Sequence, residues 1–190
     1  WKVDQGKYQK KGENKLQLDK KPKVLFDANK IAERVRELGE EISKDYEGNN
    51  IIVISLLRGS FVFAADLVRA IHIPVNIDFM TTSSYGHDEV TSGIVDIVTD
   101  IRTNIEGKHV LIVDDIMDSG YTMNKVVEYI AKKNPQSIKV CVMLDKPSRR
   151  KADITPDYVG FTIPDVFIVG YGLNYGDYYR NVPYIFTFDN

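Results

Sequence analysis

The chain has 190 residues, 43% of them hydrophobic and 27% charged, with a formal net charge of -2. That length suits one domain, and the proportions match soluble globular proteins and argue against disorder. The near-neutral balance supplies no global field for nucleic acid, and no apolar run approaches the roughly 18 residues of a spanning helix, so no membrane partner is expected.

Residues 1–23 hold eight lysines (2, 7, 10, 11, 15, 20, 21 and 23) against three acids, with almost no apolar periodicity. They read as a solvated, flexible tail, because lysines this scattered define no single basic face. No charged-then-apolar leader is visible, which makes the cytoplasm the expected location. From residue 24 to 190 one domain is expected. In "FDANKIAERVRELGEEISKDY", Ile31, Val35, Leu38 and Ile42 fall at helical spacing and Asp27 is placed to cap the first turn. "IIVISLL" (51–57) is a continuous, β-branched apolar run, followed by Arg58-Gly59-Ser60 and a helical "FVFAADLVRA". A strand apolar on both faces that leads into a helix predicts a parallel sheet.

The alternation continues with strands at 75–80, 94–99 and 109–114, a polar stretch at 81–93, a helix over about 122–133 and a strand at 138–144. Cys141, the single cysteine, lies within that last apolar run and reads as a buried thiol. The predicted fold is α/β: a mostly parallel central sheet flanked by helices, with its ligand beyond the carboxyl ends of the strands. From residue 145 the alternation lapses into loops, a short "VFIVG" strand and an aromatic, glycine-bearing segment, which together predict a small subdomain folded over those strand ends.

The stretch "VLIVDDIMDSGYTM" (110–123) carries the strongest signal. Ser119, Gly120, Tyr121 and Thr122 join a loop to a helix, and their backbone N–H groups, hydroxyls and helix N-terminus suit an anion. The same tetrapeptide serves equally well as an Asx-type cap. No G-x-x-x-x-G-K-[ST] string occurs; an EF-hand register on Gly120 would put Met117 and Val126 at ligand positions; "GYGLNYG" (170–176) lacks the spacing of a dinucleotide fingerprint. Three carboxylates, Asp114, Asp115 and Asp118, would repel a bare phosphate. They suit a ribose 5-phosphate, whose 2- and 3-hydroxyls need acceptors, and a pyrophosphate on its C1 would arrive with Mg2+.

Two acids, two apolar residues, Asp-Ser-Gly and then Thr resemble the phosphoribosyl pyrophosphate signature of type I phosphoribosyltransferases, and the remaining motifs resemble the hypoxanthine/guanine branch. The resemblance runs from about residue 24 to the C-terminus. It implies that "SLLRGSFVF" is the pyrophosphate-binding turn, with Leu57, Arg58 and Gly59 around a cis peptide, and that Arg180 reaches the same group. Ser119, Gly120, Tyr121 and Thr122 would bind the 5-phosphate, Asp114 and Asp115 the ribose and Mg2+, and Ser84 and Tyr85 would close over the reacting atoms as a catalytic loop. Lys146 would meet the purine 6-oxo group, Phe167 would stack on the base, Ile168 would read it through its backbone, and the hood would span 145–190. Asn174 stands where the family usually has a metal-binding Asp; it would line the purine site and offer Mg2+ an uncharged oxygen.

The implied activity is purine salvage, the transfer of phosphoribosyl to hypoxanthine or guanine with release of pyrophosphate, with Asp118 both contacting phosphoribosyl pyrophosphate and exchanging a proton at purine N7. The implied assembly is a homodimer or homotetramer. A competing expectation is a regulator of nucleotide genes that shares this fold and senses phosphoribosyl pyrophosphate without chemistry; the lysine-rich tail would then be a nucleic-acid arm. Asp118, Lys146 and the Ser84-Tyr85 loop favour the enzyme, as does the lack of an evident helix-turn-helix unit.

Overall fold

The computed structural model describes residues 22–84 and 95–188. In chain order the elements are β1 (Lys23–Phe26), α1 (Ala28–Asp45), β2 (Ile51–Leu57), α2 (Phe61–Ala70), β3 (Val75–Ser84), β4 (Val95–Thr99), β5 (His109–Met117), α3 (Tyr121–Ala131), β6 (Ser137–Asp145), a 3-10 turn (Pro147–Arg149), β7 (Tyr158–Thr162), β8 (Ile168–Val169) and β9 (Ile185–Thr187). Six strands form the central sheet in the order β4-β3-β2-β5-β6-β7. The pairs β2–β3, β2–β5, β5–β6 and β6–β7 are parallel, and β3–β4 is antiparallel.

The continuous apolar runs are explained by burial on both faces. Ile51 and Val53 of β2, Leu111 and Val113 of β5, and Cys141 and Met143 of β6 pack with α1 and α2. The alternate residues Ile52 and Ile54, Val110 and Ile112, and Val140 and Val142 pack with Met123, Val126 and Ile130 of α3. Each aliphatic side chain buried in this way contributes about 1.5–3 kcal/mol relative to exposure. Burial also pushes the Cys141 thiol well above its ordinary range, as an inert core residue requires. Asp27 caps α1, its Oδ1 accepting the Lys30 amide at 2.9 Å.

Three elements differ from the pattern in the sequence. β3 runs on through the polar residues to Ser84, because antiparallel pairing with β4 (Thr81 with Thr99, Ser83 with Asp96) occupies its backbone. β5 continues past Asp114 to Met117, paired with β6 as far as Asp145, so Asp115 joins Asp114 on the strand and only Asp118 stands in the loop. Within 145–190, residues 158–162 join the central sheet as β7, pairing Tyr158 with Cys141 and Phe161 with Leu144.

The small second sheet has the order β1-β9-β8, antiparallel throughout. Lys23 therefore belongs to a strand, opposite Thr187, and not to the tail that precedes it. Phe26 of β1 stacks on Phe161 of β7 with centroids 4.0 Å apart, and Arg34 of α1 donates to the carbonyls of Val159 and Gly160 at 2.8 and 3.0 Å. The first contact packs the small sheet against the edge strand β7, and the second fixes α1 on the same strand. Among the described residues no helix is long and apolar enough to cross a membrane.

Candidate functional site

The carboxyl ends of β2 and β5 lie side by side because those strands are neighbours in the sheet. At the first, the Leu57–Arg58 peptide is cis and Ser60, buried, shares a 2.7 Å hydrogen bond with Ser55 that pins the turn. Gly59 then passes so close to β5 that a Cβ on it would sit 1.7 Å from Asp115 Oδ2. Gly172 approaches from the small subdomain with φ +100, and a Cβ there would lie 2.1 Å from the Gly59 carbonyl oxygen. Only glycine allows both approaches. Arg180 Nη1 donates to the Gly172 carbonyl at 2.6 Å, and its charge lowers the proton affinity of Asp115. Residues 57–59, Asp115, Gly172 and Arg180 thus form one cluster from three parts of the chain.

Asp114 and Asp115 are both half-buried, and each folds its Oδ1 onto the next amide at 2.9 Å, Asp115 and Ile116 respectively. Loss of water, and then repulsion from Asp115, holds the Asp114 carboxyl well above the usual carboxylate range. Burial raises Asp115 as well, against the pull of the Ile116 amide and Arg180. Two adjacent acids with raised proton affinity are a place where hydroxyl donors or a cation relieve an existing cost. Among the described residues no group of three or more His, Cys, Asp or Glu side chains could hold a metal by itself. Such a pair fits Mg2+, which binds through one or two carboxylates and takes its other oxygens from water and substrate phosphates.

Past β5, Gly120 adopts φ +82 as the N-cap of α3 and makes no side-chain cap bond. The neighbouring capping contact is weak: the Tyr121 amide donates to Ser119 Oγ at 3.5 Å. The first-turn amides of α3 are therefore available to an anion at a helix N-terminus. The Ser119 carbonyl accepts the amides of Lys151 and Ala152 at 2.9 and 3.0 Å, which fixes the loop against the segment after β6.

The opposite end of the site carries a chain of charges. The Lys146 amide donates to the Met117 carbonyl at 3.0 Å, placing Lys146 beside the residue that precedes Asp118. Its side chain is buried, with Nζ 3.7 Å from Asp165 Oδ1. Arg149 donates from Nε to Asp118 Oδ1 at 3.1 Å and from Nη1 to Asp165 Oδ2 at 3.3 Å. Phe167 is 51% exposed, its ring edge-on to Tyr175 at 5.7 Å, whereas Ile168 is buried in β8 opposite Thr187. An exposed ring buttressed at its edge suits stacking with a planar ligand.

Asn174 is exposed and donates from Nδ2 to the Gly176 carbonyl at 2.6 Å, which turns its carbonyl oxygen to the other side. Ser84 ends β3, its side chain outside what the structure describes, and Tyr85 lies outside the described residues altogether. Gly172, Arg149, Asp165 and Tyr175 were not singled out from the sequence. All four lie in segments that the sequence marks for other residues, and no spacing rule joins positions 59 and 172 or 118, 149 and 165.

The family profile described as "Phosphoribosyl transferase domain" matches residues 23–176. A hypoxanthine phosphoribosyltransferase of Buchnera aphidicola subsp. Schizaphis graminum is 53% identical over 165 residues, covering 86% of this chain and 93% of the relative. A hypoxanthine-guanine phosphoribosyltransferase of Aquifex aeolicus is 47% identical over 172 residues, 90% of this chain and 97% of the relative. Among solved structures, a hypoxanthine-guanine phosphoribosyltransferase of Bacillus anthracis superposes with a TM-score of 0.84 at 48% identity, covering 87% of this chain and 97% of that one.

Proposed function

The chain belongs to the phosphoribosyltransferase family, in its hypoxanthine/guanine branch, and from that membership and the site geometry we propose that it transfers the 5-phosphoribosyl group of phosphoribosyl pyrophosphate to hypoxanthine or guanine. The observation that carries the proposal is the convergence, at the carboxyl end of the central sheet, of the β2 turn, the acid pair of β5, the α3 N-terminus and Lys146.

In this reaction the amides and hydroxyls of Ser119, Gly120, Tyr121 and Thr122 hold the 5-phosphate, and Asp114 and Asp115 accept from the ribose hydroxyls. Arg58, Arg180 and the backbone at 57–59 hold the departing pyrophosphate, whose loss leaves positive charge on the ribose ring. Phe167, backed by Tyr175, stacks on the purine, Ile168 reads its edge through the backbone, and Lys146 donates to the 6-oxo oxygen. A 6-amino group would face that ammonium with donors only, so adenine is rejected. Asp118 accepts the N7 proton as the base becomes a nucleophile. Ser84, the last residue of β3, and Tyr85, which follows it in the chain, close over the reacting atoms and exclude water. Asp114, Asp115 and Asn174 would hold Mg2+, which when bound neutralises the pyrophosphate.

A cytoplasmic location and a homodimer or homotetramer complete the proposal. Ile77 and Phe79 of β3 and Val98 of β4 are exposed apolar side chains at one edge of the central sheet, which supports an interface there. The relatives are named as enzymes, so the regulator alternative is not retained.

The test is pyrophosphate release with phosphoribosyl pyrophosphate, Mg2+ and each of hypoxanthine, guanine, xanthine and adenine. Release with hypoxanthine or guanine and none with adenine is expected. Release that no purine stimulates, from protein that still binds phosphoribosyl pyrophosphate, defeats the proposal.

A further inference from the structure

Arg149 contacts no substrate group in the proposed reaction, yet it joins the side chains that do. One guanidinium spans two carboxylates, Asp118 through Nε at 3.1 Å and Asp165 through Nη1 at 3.3 Å. Asp165 in turn meets Lys146, its Oδ1 lying 3.7 Å from Nζ. The backbone supports the same arrangement, since the Arg149 amide donates to the Lys146 carbonyl at 3.0 Å and the Lys146 amide to Met117 at 3.0 Å.

The substrate makes this geometry useful. N7 and O6 lie side by side on one edge of a 6-oxopurine. Groups addressing them must be held in step, because a misplacement of an ångström costs rate steeply. We propose that Arg149 is a positioning residue for phosphoribosyl transfer: it holds Asp118 by Oδ1 so that Oδ2 meets N7, and through Asp165 it holds Lys146 toward O6. Arginine is the residue that can do this, since its planar fork offers separate donors in fixed directions, whereas an ammonium is a single point charge. Stability does not account for the arrangement. Arg149, Asp118 and Asp165 are all substantially exposed, and ion pairs in water contribute little to folding. Their value rises once purine fills the site and displaces water.

The inference rests on the proposed transferase activity, and steady-state kinetics of the full chain separate the two. Arg149→Ala should lower kcat/KM for hypoxanthine by about ten-fold, with a raised purine KM and a lowered kcat, while the KM for phosphoribosyl pyrophosphate and the melting temperature hold. Arg149→Lys should recover only part of the loss. Asp165→Asn should be harmful alone and nearly silent in the Arg149→Ala background, because the two act as one unit. An Arg149→Ala enzyme within about two-fold of wild type for hypoxanthine overturns the positioning role and leaves the activity standing. The positioning role falls in the same way if both KM values rise equally, or if the Asp165→Asn and Arg149→Ala effects multiply. A wild-type protein that releases no pyrophosphate in response to purine instead overturns the activity, and the positioning role with it.

Discussion

The proposed ribose 5-phosphate end of the site is drawn from nine consecutive residues, Asp114 to Thr122, whereas the proposed base end is assembled from Asp118, Lys146, Arg149, Asp165, Phe167 and Tyr175, which lie in separate segments outside the strands of the two sheets. At the first end, the acids sit on β5, which stays paired with β6 past them, and Gly59 meets Asp115 while Gly172 meets the Gly59 carbonyl, neither with room for a methyl group. At the second, most of the side chains are exposed and the supporting strands are short, two residues in β8 and three in β9. A ribose phosphate presents the same groups in every turnover, and rigid backbone donors suit it. A base must enter, be told from its neighbours and leave as nucleotide, which favours side chains on a lighter frame. Substitutions at the carboxyl ends of β2 and β5 should therefore affect stability together with chemistry, and substitutions at the base end should affect chemistry or selectivity alone.

The largest expected effect lies where the two ends meet. Asp118→Asn should slow turnover by roughly 100- to 10,000-fold if its carboxylate takes the N7 proton, with phosphoribosyl pyrophosphate affinity retained by isothermal titration. Turnover within a few-fold of wild type removes it from that role. At the base end, Lys146→Ala leaves the 6-oxo oxygen unpaired in a closed site, and about 10- to 100-fold should be lost in kcat/KM for hypoxanthine. If the loss fell equally on the KM for phosphoribosyl pyrophosphate, the division between the ends would not hold at Lys146.

A few-fold effect is expected at Asn174, whose uncharged oxygen is a weaker partner for a hard cation than a carboxylate. Titrating Mg2+ against initial rate should show Asn174→Asp saturating at lower Mg2+; superimposable curves would mean that Asp177 or pyrophosphate itself supplies the charge. The smallest effect bears most directly on the contrast between the ends. Because burial and Asp115 hold the Asp114 carboxyl above its unfolded value, ionising it in the folded protein costs stability, and the cost grows as pH rises toward and through the raised folded value. Asp114→Asn should therefore melt about 2–4 °C higher than wild type at pH 7, with the gap narrowing toward pH 4, while losing activity. Scanning calorimetry at the two pH values checks it; a variant that melts lower at pH 7 contradicts the account of the acid pair.

Much of the central sheet was legible from residues 51–57, 109–114 and 138–144, because a strand covered on both faces must be apolar throughout and writes its burial into consecutive positions. The turn at Ser119-Gly120 and the helix after it were legible for a related reason: a tight turn and a helix N-terminus are local in the chain. Two alternatives for residues 119–122, anion site or cap, could not be separated there, since both use the same small polar residues; the capping contact in the structure is a weak one of 3.5 Å, which is the ground for proposing the anion site.

The small sheet left little trace. Lys23 reads as the last residue of the lysine-rich stretch, and a four-residue strand has no periodicity to read; Lys23–Phe26 becomes a strand because β9, far along the chain, offers it a partner. The extension of β5 past Asp114 through Asp115 to Met117 was equally hidden, since acids are poor strand residues by propensity and the strand persists here through pairing with β6. Local preference and burial on both faces are recorded residue by residue, so the chain alone carries much of the central sheet and the turn into α3. Contacts such as Gly59 with Gly172, or Asp118 with Arg149 and Asp165, depend on how distant segments pack, and that information appears only when the fold brings them within ångströms of one another.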